Sequence, residues 1–394
     1  LVAEMGVAFC LGQQDGQMAT VAKHFPGHGT TSHDSHFDLP RITLSEKQLT
    51  ESELLPFARA MDAGLDALMT AHVQVPAIDP SGTPASLSKP VITGLLRNKM
   101  GFDGVVITDD LEMRAVSGQM GVGKAAVSAV LAGADMVMVI WTPRRKHEVF
   151  DALLAATTDG TIPESRLDES VRRILRLKAR RGTLDSLASR IQAPERLLPN
   201  SRHQHIIQAI AARGLTLVSN QKNLLPLCSG RGVLVAAPQR EFRRELTRLL
   251  PGARSVPLKL VSSRTHRQKE FEQLRELASR HKVLVLGVTN VYQAWLAQQL
   301  HNSTDIPMVV VSFGSPYLLR YFPGVPAYLC TYSYLASAQQ AAARAIAGKL
   351  SLTGRLPVSL SKHRPRGSGL TLRRGGCKNR IRGKAHLPKQ GPSK

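Results

Sequence analysis

The chain has 394 residues, 43% of them hydrophobic, and a formal net charge of +23, which is length enough for two domains with separate cores. No segment approaches the ~18 to 20 consecutive apolar residues of a membrane span, and the opening LVAEMGVAFCLGQQ lacks the basic, apolar and small-residue zones of a secretory signal. Cys10, Cys228, Cys330 and Cys377 are scattered without CxxC or other metal spacing and read as buried or idle thiols. Localisation is left open by these features, leaning to the cytoplasm, and a start at leucine leads us to expect that the true N-terminus is absent.

Four short apolar runs occur in the first 140 residues, ATVAKHF (19–25), LDALMTAHV (65–73), GVVITDD (104–110) and ADMVMVI (134–140), each followed by helix-like sequence. Such alternation predicts a parallel sheet of βα units. In three of the runs polar residues crowd the C-terminal end: Lys23 and His24, Thr70 and His72, and Thr108 with Asp109 and Asp110. That is the active-site end of a parallel β/α barrel, a fold that closes with eight strands, whereas four are counted here. The segment TIPESRLDESVRRILRLKARRG (161–182) predicts the last helix of this half. Its start is expected as a capping box of Thr161 and Glu164, with Leu167, Val171, Ile174 and Leu175 at helical spacing behind it.

Pro and Asn breaks in APERLLPNSRHQ mark a linker. A second βα series then begins near residue 215, with strands expected at 232–238, 282–288, 308–314 and 327–332 and helices near 240–250, 268–280, 291–301 and 336–349. This predicts a smaller doubly wound α/β domain. Residues 361–394 hold eleven Lys or Arg and no acid, in a context rich in Gly, Pro and Ser, and are expected as a solvated, disordered tail. The preceding 360 residues then carry +12, so nucleic acid is not the expected partner.

The stretch KHFPGHGTTSHDSH (23–36) gathers four histidines and an aspartate around a Pro-Gly turn. Zinc is the obvious rival reading. The spacing of His24, His28, His33 and His36 fits no ligand pattern on one helix, and Pro26 with Gly27 and Gly29 would break such a helix, so no metal site and no cofactor are expected. The glycines suit a sharply turning, movable loop, in which His28 and His33 read as loop structure.

Taken together, KHFPGHG, DSH and GFDGVVITDDLEM (101–113) resemble the signature of glycoside hydrolase family 3, in its β-N-acetylglucosaminidase (β-hexosaminidase) branch. NLLPL (223–227) and GKLSLTGRLPVSL (348–360) resemble the start and end of that family's C-terminal α/β domain. The resemblance implies that Asp109 is the nucleophile of a retaining glycosidase and that the proton donor is His36, oriented by Asp34. Both roles fit the chemistry, because a retaining enzyme needs an anionic nucleophile and an imidazole titrates near neutrality, where it can donate and then accept a proton. Lys23 and His24 resemble the family's sugar-hydroxyl contacts, and His72 is a candidate for the pocket wall. Thr30 departs from the family pattern, which usually has an acidic or amide residue after GHG.

By the same resemblance KHFPGHG stands on the fifth barrel strand. The expected architecture is therefore strands five to eight of a TIM-type barrel at 1–182, a linker and connecting helix at 183–212, an α/β sandwich at 213–360 and the basic tail at 361–394. About 140 residues of earlier βα units, at roughly 35 each, would be lacking. The implied function is exo-hydrolysis of terminal β-linked N-acetylglucosamine from muropeptides or chitooligosaccharides through a glycosyl-Asp109 intermediate. The alternatives are a β-glucosidase of the same family or a truncated inactive remnant whose tail binds polyanions. Hydrolysis and phosphorolysis both stay open, and the activity of a half barrel alone is an open expectation.

Overall fold

A computed structural model describes residues 1–29, 31, 39–184, 200–260 and 264–375. The chain divides into two compact units, 1–192 and 193–394.

In the first unit the elements run α1 (Val2–Asp15), β1 (Val21–Phe25), α2 (Glu46–Glu51), α3 (Leu55–Asp62), β2 (Ala67–Thr70), a wide π-type helix (Pro90–Lys99), β3 (Val105–Asp110), α4 (Arg114–Met120), α5 (Val122–Ala132), β4 (Met136–Met138), α6 (Pro143–Thr158) and α7 (Glu164–Arg180). The four strands form one parallel sheet in the order β1-β2-β3-β4, with Ala67 paired to Val21 on one side and Val105 on the other. This is the four-stranded βα arrangement of TIM-barrel type that the apolar runs predict. The central strands are the most apolar, and Leu68 and Val106 are fully buried in a core shared with Phe25, Ile92, Leu96 and Leu111. The outer strands are more exposed, with Val21 of β1 and Met136 of β4 each over 40% accessible, as befits strands paired on one side only among the described residues.

The helix α7 forms where expected, but its anchoring differs. Its N-cap is Pro163, and no side chain caps it. Ile162 is fully buried, so the chain enters the helix through the proline, while Thr161 donates its N–H to Asp159 Oδ1 at 2.8 Å. Val171 and Leu175 of the expected stripe are about half exposed. Leu167 packs against Val130, Ala156 and Ile162 and Ile174 is half-buried, but the inward face is otherwise polar, bearing Arg166, Ser170, Arg173 and, just past the helix end, Arg181. Buried Asp135 receives Arg97 at 2.6 Å, Arg173 at 3.2 Å, Ser170 at 2.8 Å and the Val106 N–H at 2.9 Å. Buried Asp66 receives Arg181 at 2.6 Å and the Thr20 N–H at 2.9 Å. These two carboxylates fasten the helix across the N-terminal ends of the strands. A cavity of about 440 Å³ opens there, lined by Asp66, Asp103, Arg173, Arg176 and Arg180 among others, and it contains none of the expected site residues.

The second unit contains α8 (Ser201–Gly214), β5 (Thr216–Asn220), β6 (Val233–Ala237), α9 (Arg240–Leu249), β7 (Arg254–Pro257), α10 (Arg264–Ser279), β8 (Val283–Val288), α11 (Val291–Ser303), β9 (Met308–Ser312), β10 (Ala327–Cys330) and α12 (Ala336–Ile346). Its sheet order is β5-β10-β9-β8-β6-β7, with β5 antiparallel to β10 and every other pair parallel. Strand residues alternate between two cores. Val233, Val235, Val309 and Val311 pack with Phe242 and Ile346 of α9 and α12, whereas Leu234, Leu286, Met308 and Val310 pack with Leu274 and Leu296 of α10 and α11. Helices on both faces make this the doubly wound domain foreseen. The strand β7 was not foreseen, because RSVP carries no apolar run and lies on the sheet edge.

Residues 361–375, expected within a disordered tail, are hydrogen-bonded into this domain. Leu370 donates its N–H to Leu217 O at 2.7 Å, Leu372 exchanges two backbone bonds with Leu352, and Gly375 reaches Gly348 O at 3.0 Å. Leu372 packs on the apolar core, an anchor hidden among the basic residues around it. Residues 376–394 lie outside the described residues. Cys10 and Cys330 are free and buried, whereas Cys228, expected as an idle thiol, is disulfide-bonded. Among the described residues no helix is long and apolar enough to cross a membrane.

Candidate active site

The strand β1 ends in Lys23, His24 and Phe25, and the turn that follows is built for close approach. Gly27 has φ +128°, and a Cβ there would meet Glu53 Oε2 at 2.6 Å and Glu53 Cβ at 2.8 Å, so both backbone conformation and space demand glycine. Phe25 is fully buried and meets Phe57 of α3 edge-on at 5.4 Å, which fixes the strand end. His28 is held within the loop itself, its Nδ1 2.6 Å from Thr31 Oγ1, in keeping with a structural role. The peptide bonds Lys23–His24 and Phe25–Pro26 are cis.

At the same end of the sheet, β3 ends in Asp109 and Asp110. Strand alternation separates them. The Asp109 side chain keeps 18% of its accessibility and places Oδ2 3.6 Å from His24 Nε2, itself 31% accessible. Asp110 is 4% exposed and turns its carboxylate back on its own chain, accepting the Glu112 N–H at 3.1 Å. One carboxylate thus reaches solvent beside an imidazole while its neighbour serves the turn. Burial holds the His24 imidazole below its ordinary pKa; the Asp109 carboxylate pulls it up, and Lys23, His28 and His72 oppose that pull. Lys23 is exposed beside it.

His72, expected on the pocket wall, is instead 1% exposed. Its Nε2 lies 2.9 Å from Asp110 O and its Nδ1 2.6 Å from Ser86 Oγ, so neither ring nitrogen is open to a ligand. Asp34, His36 and His33 lie outside the described residues. The structure therefore brings together Asp109 and His24, with Lys23 exposed next to His24 in the chain, and moves His72 behind them. Among the described residues no group of three or more His, Cys, Asp or Glu comes together as metal ligands.

Two supporting residues escape a reading of motifs alone. Glu112, three residues past Asp109, accepts the N–H of Trp141 at 2.6 Å and that of Thr142 at 3.1 Å, tying the exit of β4 and the start of α6 to the end of β3. Ser86 fixes His72 from a short 3-10 turn after β2. Glu112 belongs to the quoted TDDLEM stretch, but nothing local in ASLSKP marks Ser86.

A carboxylate and an imidazole stand at the C-terminal mouth of a parallel βα sheet, the end at which the class of parallel β/α barrels carries its active sites. Comparison makes that class specific. The model of the glycosyl hydrolase family 3 N-terminal domain matches residues 1–177. A β-N-acetylglucosaminidase of that family from Paenibacillus sp. superposes with a TM-score of 0.85 at 34% identity, over 91% of this chain and 70% of that one. A β-hexosaminidase of Chromobacterium violaceum is 39% identical over 173 residues, 44% of this chain and 46% of that protein. A β-N-acetylglucosaminidase/β-glucosidase of Cellulomonas fimi is 26% identical over 396 residues, 91% of this chain and 69% of that protein. The chain belongs to glycosyl hydrolase family 3, and it spans about half the length of several curated relatives that it matches.

Proposed function

We propose that the protein is a retaining exo-glycosidase that releases terminal β-linked N-acetylglucosamine from muropeptides or chitooligosaccharides. The observation that carries the reading is the unequal pair at the end of β3, with Asp109 open to solvent beside His24 and Asp110 buried. In the first step an Asp109 carboxylate oxygen bonds to the anomeric carbon while the glycosidic C–O bond breaks, and His36 gives its proton to the departing oxygen. In the second, His36 takes a proton from water, whose oxygen displaces Asp109 and frees the sugar. Asp34 orients His36, and Lys23 and His24 bind sugar hydroxyls beside the nucleophile. Phosphate in place of water would give phosphorolysis through the same glycosyl-Asp109 species.

The names of the relatives support the N-acetylglucosaminide, and the dual name of the Cellulomonas protein supports a β-glucoside as the second reading. The test is turnover of chromogenic β-N-acetylglucosaminide and β-glucoside by the purified chain beside Asp109→Ala and His36→Ala. Loss of roughly 10²- to 10⁴-fold is expected for the proton donor, and loss to background for the nucleophile. Preference for the β-glucoside would select the second reading; turnover that survives Asp109→Ala would overturn both.

A further inference from the structure

We propose that His72 is a positioning residue for the nucleophile, holding the end of β3 in place through the Asp110 carbonyl, with Ser86 donating to its other ring nitrogen. The proposal rests on the glycosidase reading above, since it assigns a role relative to Asp109.

The Asp110 carbonyl can only accept, so the 2.9 Å contact requires the proton on His72 Nε2. The neutral ring then presents Nδ1 as acceptor, and Ser86 Oγ, 2.6 Å away, donates to it. Ser86 is itself fully buried, and its backbone N–H is bound to Ala71 O at 3.1 Å. The contacts therefore run unbroken from the turn after β2, through the imidazole, to the peptide that joins Asp110 and Leu111. The same Asp110 carbonyl accepts the Met113 N–H at 3.0 Å, and the Asp110 N–H donates to Asp109 Oδ1 at 2.8 Å. His72 thus grips the peptide unit next to the one that restrains the Asp109 carboxylate. Such restraint matters because a reacting atom displaced by about 1 Å costs on the order of 10²-fold in rate.

The experiment compares His72→Phe, which keeps a ring but no donor, with His72→Gln, whose amide N–H can take the place of Nε2–H, and with Ser86→Ala. Two readouts are taken on each 394-residue chain: kcat and KM on the chromogenic N-acetylglucosaminide, and hydrogen exchange of the segment around Glu112 and Met113. The expected result for His72→Phe is a kcat lower by roughly 10²-fold with KM within about twofold, as misplacement without lost binding predicts, together with faster exchange at that segment. Gln should restore most of both, and Ser86→Ala should fall between. A loss expressed in KM, or a kcat loss that Gln does not relieve, overturns the proposal, as does unchanged exchange in a folded His72→Phe chain. If that variant does not fold, the Gln and Ala variants decide by the same criteria. Should the wild-type chain show no turnover, the glycosidase reading fails by itself and the exchange arm still decides the positioning role.

Discussion

At the end of β3 two consecutive carboxylates meet different surroundings, and their consequences should differ accordingly. Asp109→Asn should abolish turnover while leaving the midpoint of urea unfolding nearly unchanged, because its side chain is partly solvated. Asp110→Asn should act mainly on stability, because it disturbs the acceptor of the Glu112 N–H; comparing kcat with unfolding midpoints separates the two. The histidines behind the site give a pH dependence. Burial is the largest influence on His72 and lowers its pKa, and it lowers that of His24 as well. The folded state therefore binds fewer protons than the unfolded chain as pH falls below ~6.5, the ordinary histidine value. Stability present above that pH is lost as pH drops toward the folded values. The unfolding midpoint should decrease on acidification from neutral pH, and the decrease should be smaller in His72→Gln.

On the element scale α7 is held by charge as well as by the half of its expected apolar stripe, Leu167 and Ile174, that turns inward. Asp135 accepts three arginines, Arg97, Arg166 and Arg173, a serine and a backbone N–H inside the protein, and its removal leaves the Arg97 guanidinium without its carboxylate. Asp135→Ala should cost about 3 to 5 kcal/mol, the usual penalty for breaking a buried ion pair from one side, measured by urea unfolding. Arg176 pairs with Asp103 at 3.3 Å with both side chains largely exposed, and Arg176→Ala should change stability by less than about 1 kcal/mol. Asp66 adds an acid-side signature. Burial raises its pKa, but the Thr20 N–H and Arg181 outweigh that and leave it lowered. Its contribution is then present above the unfolded carboxylate value near ~3.9 and lost as pH falls below it, so Asp66→Asn should flatten the acid limb of stability.

The first unit, taken as a whole, presents two strand edges with no strand beyond them among the described residues, and apolar side chains lie beside both. Met18 and Val21 are exposed near β1, and Met136, Ile140 and Trp141 at β4. Unpaired parallel edges of this kind invite further strands, and four more βα units, covalent or supplied in trans, would satisfy them. Purified alone, residues 1–394 should associate beyond the monomer in sedimentation velocity, and Met136→Lys should reduce that association. A monomer indifferent to the substitution would show that the edges are protected in another way.

The sequence by itself determined the α/β class, the four strands of the first unit, most of the second sheet and the pairing of motif with family, because short β-branched runs and amphipathic helices carry their periodicity locally. The resemblance singled out Asp109, and alternation along the strand, a local rule, turns Asp110 away from it. The edge strand β7 had no such periodicity to show. The return of Leu370 and Leu372 onto the domain was equally hidden, because a basic, glycine-rich segment gains order from a distant partner. The place of His72 depended on Ser86, fourteen residues on, and on a carbonyl thirty-eight residues on, and the polar face of α7 depended on two aspartates buried at the strand starts. Those arrangements were decided by tertiary structure, for the physical reason that burying a polar group requires partners that only the folded chain brings within hydrogen-bonding distance.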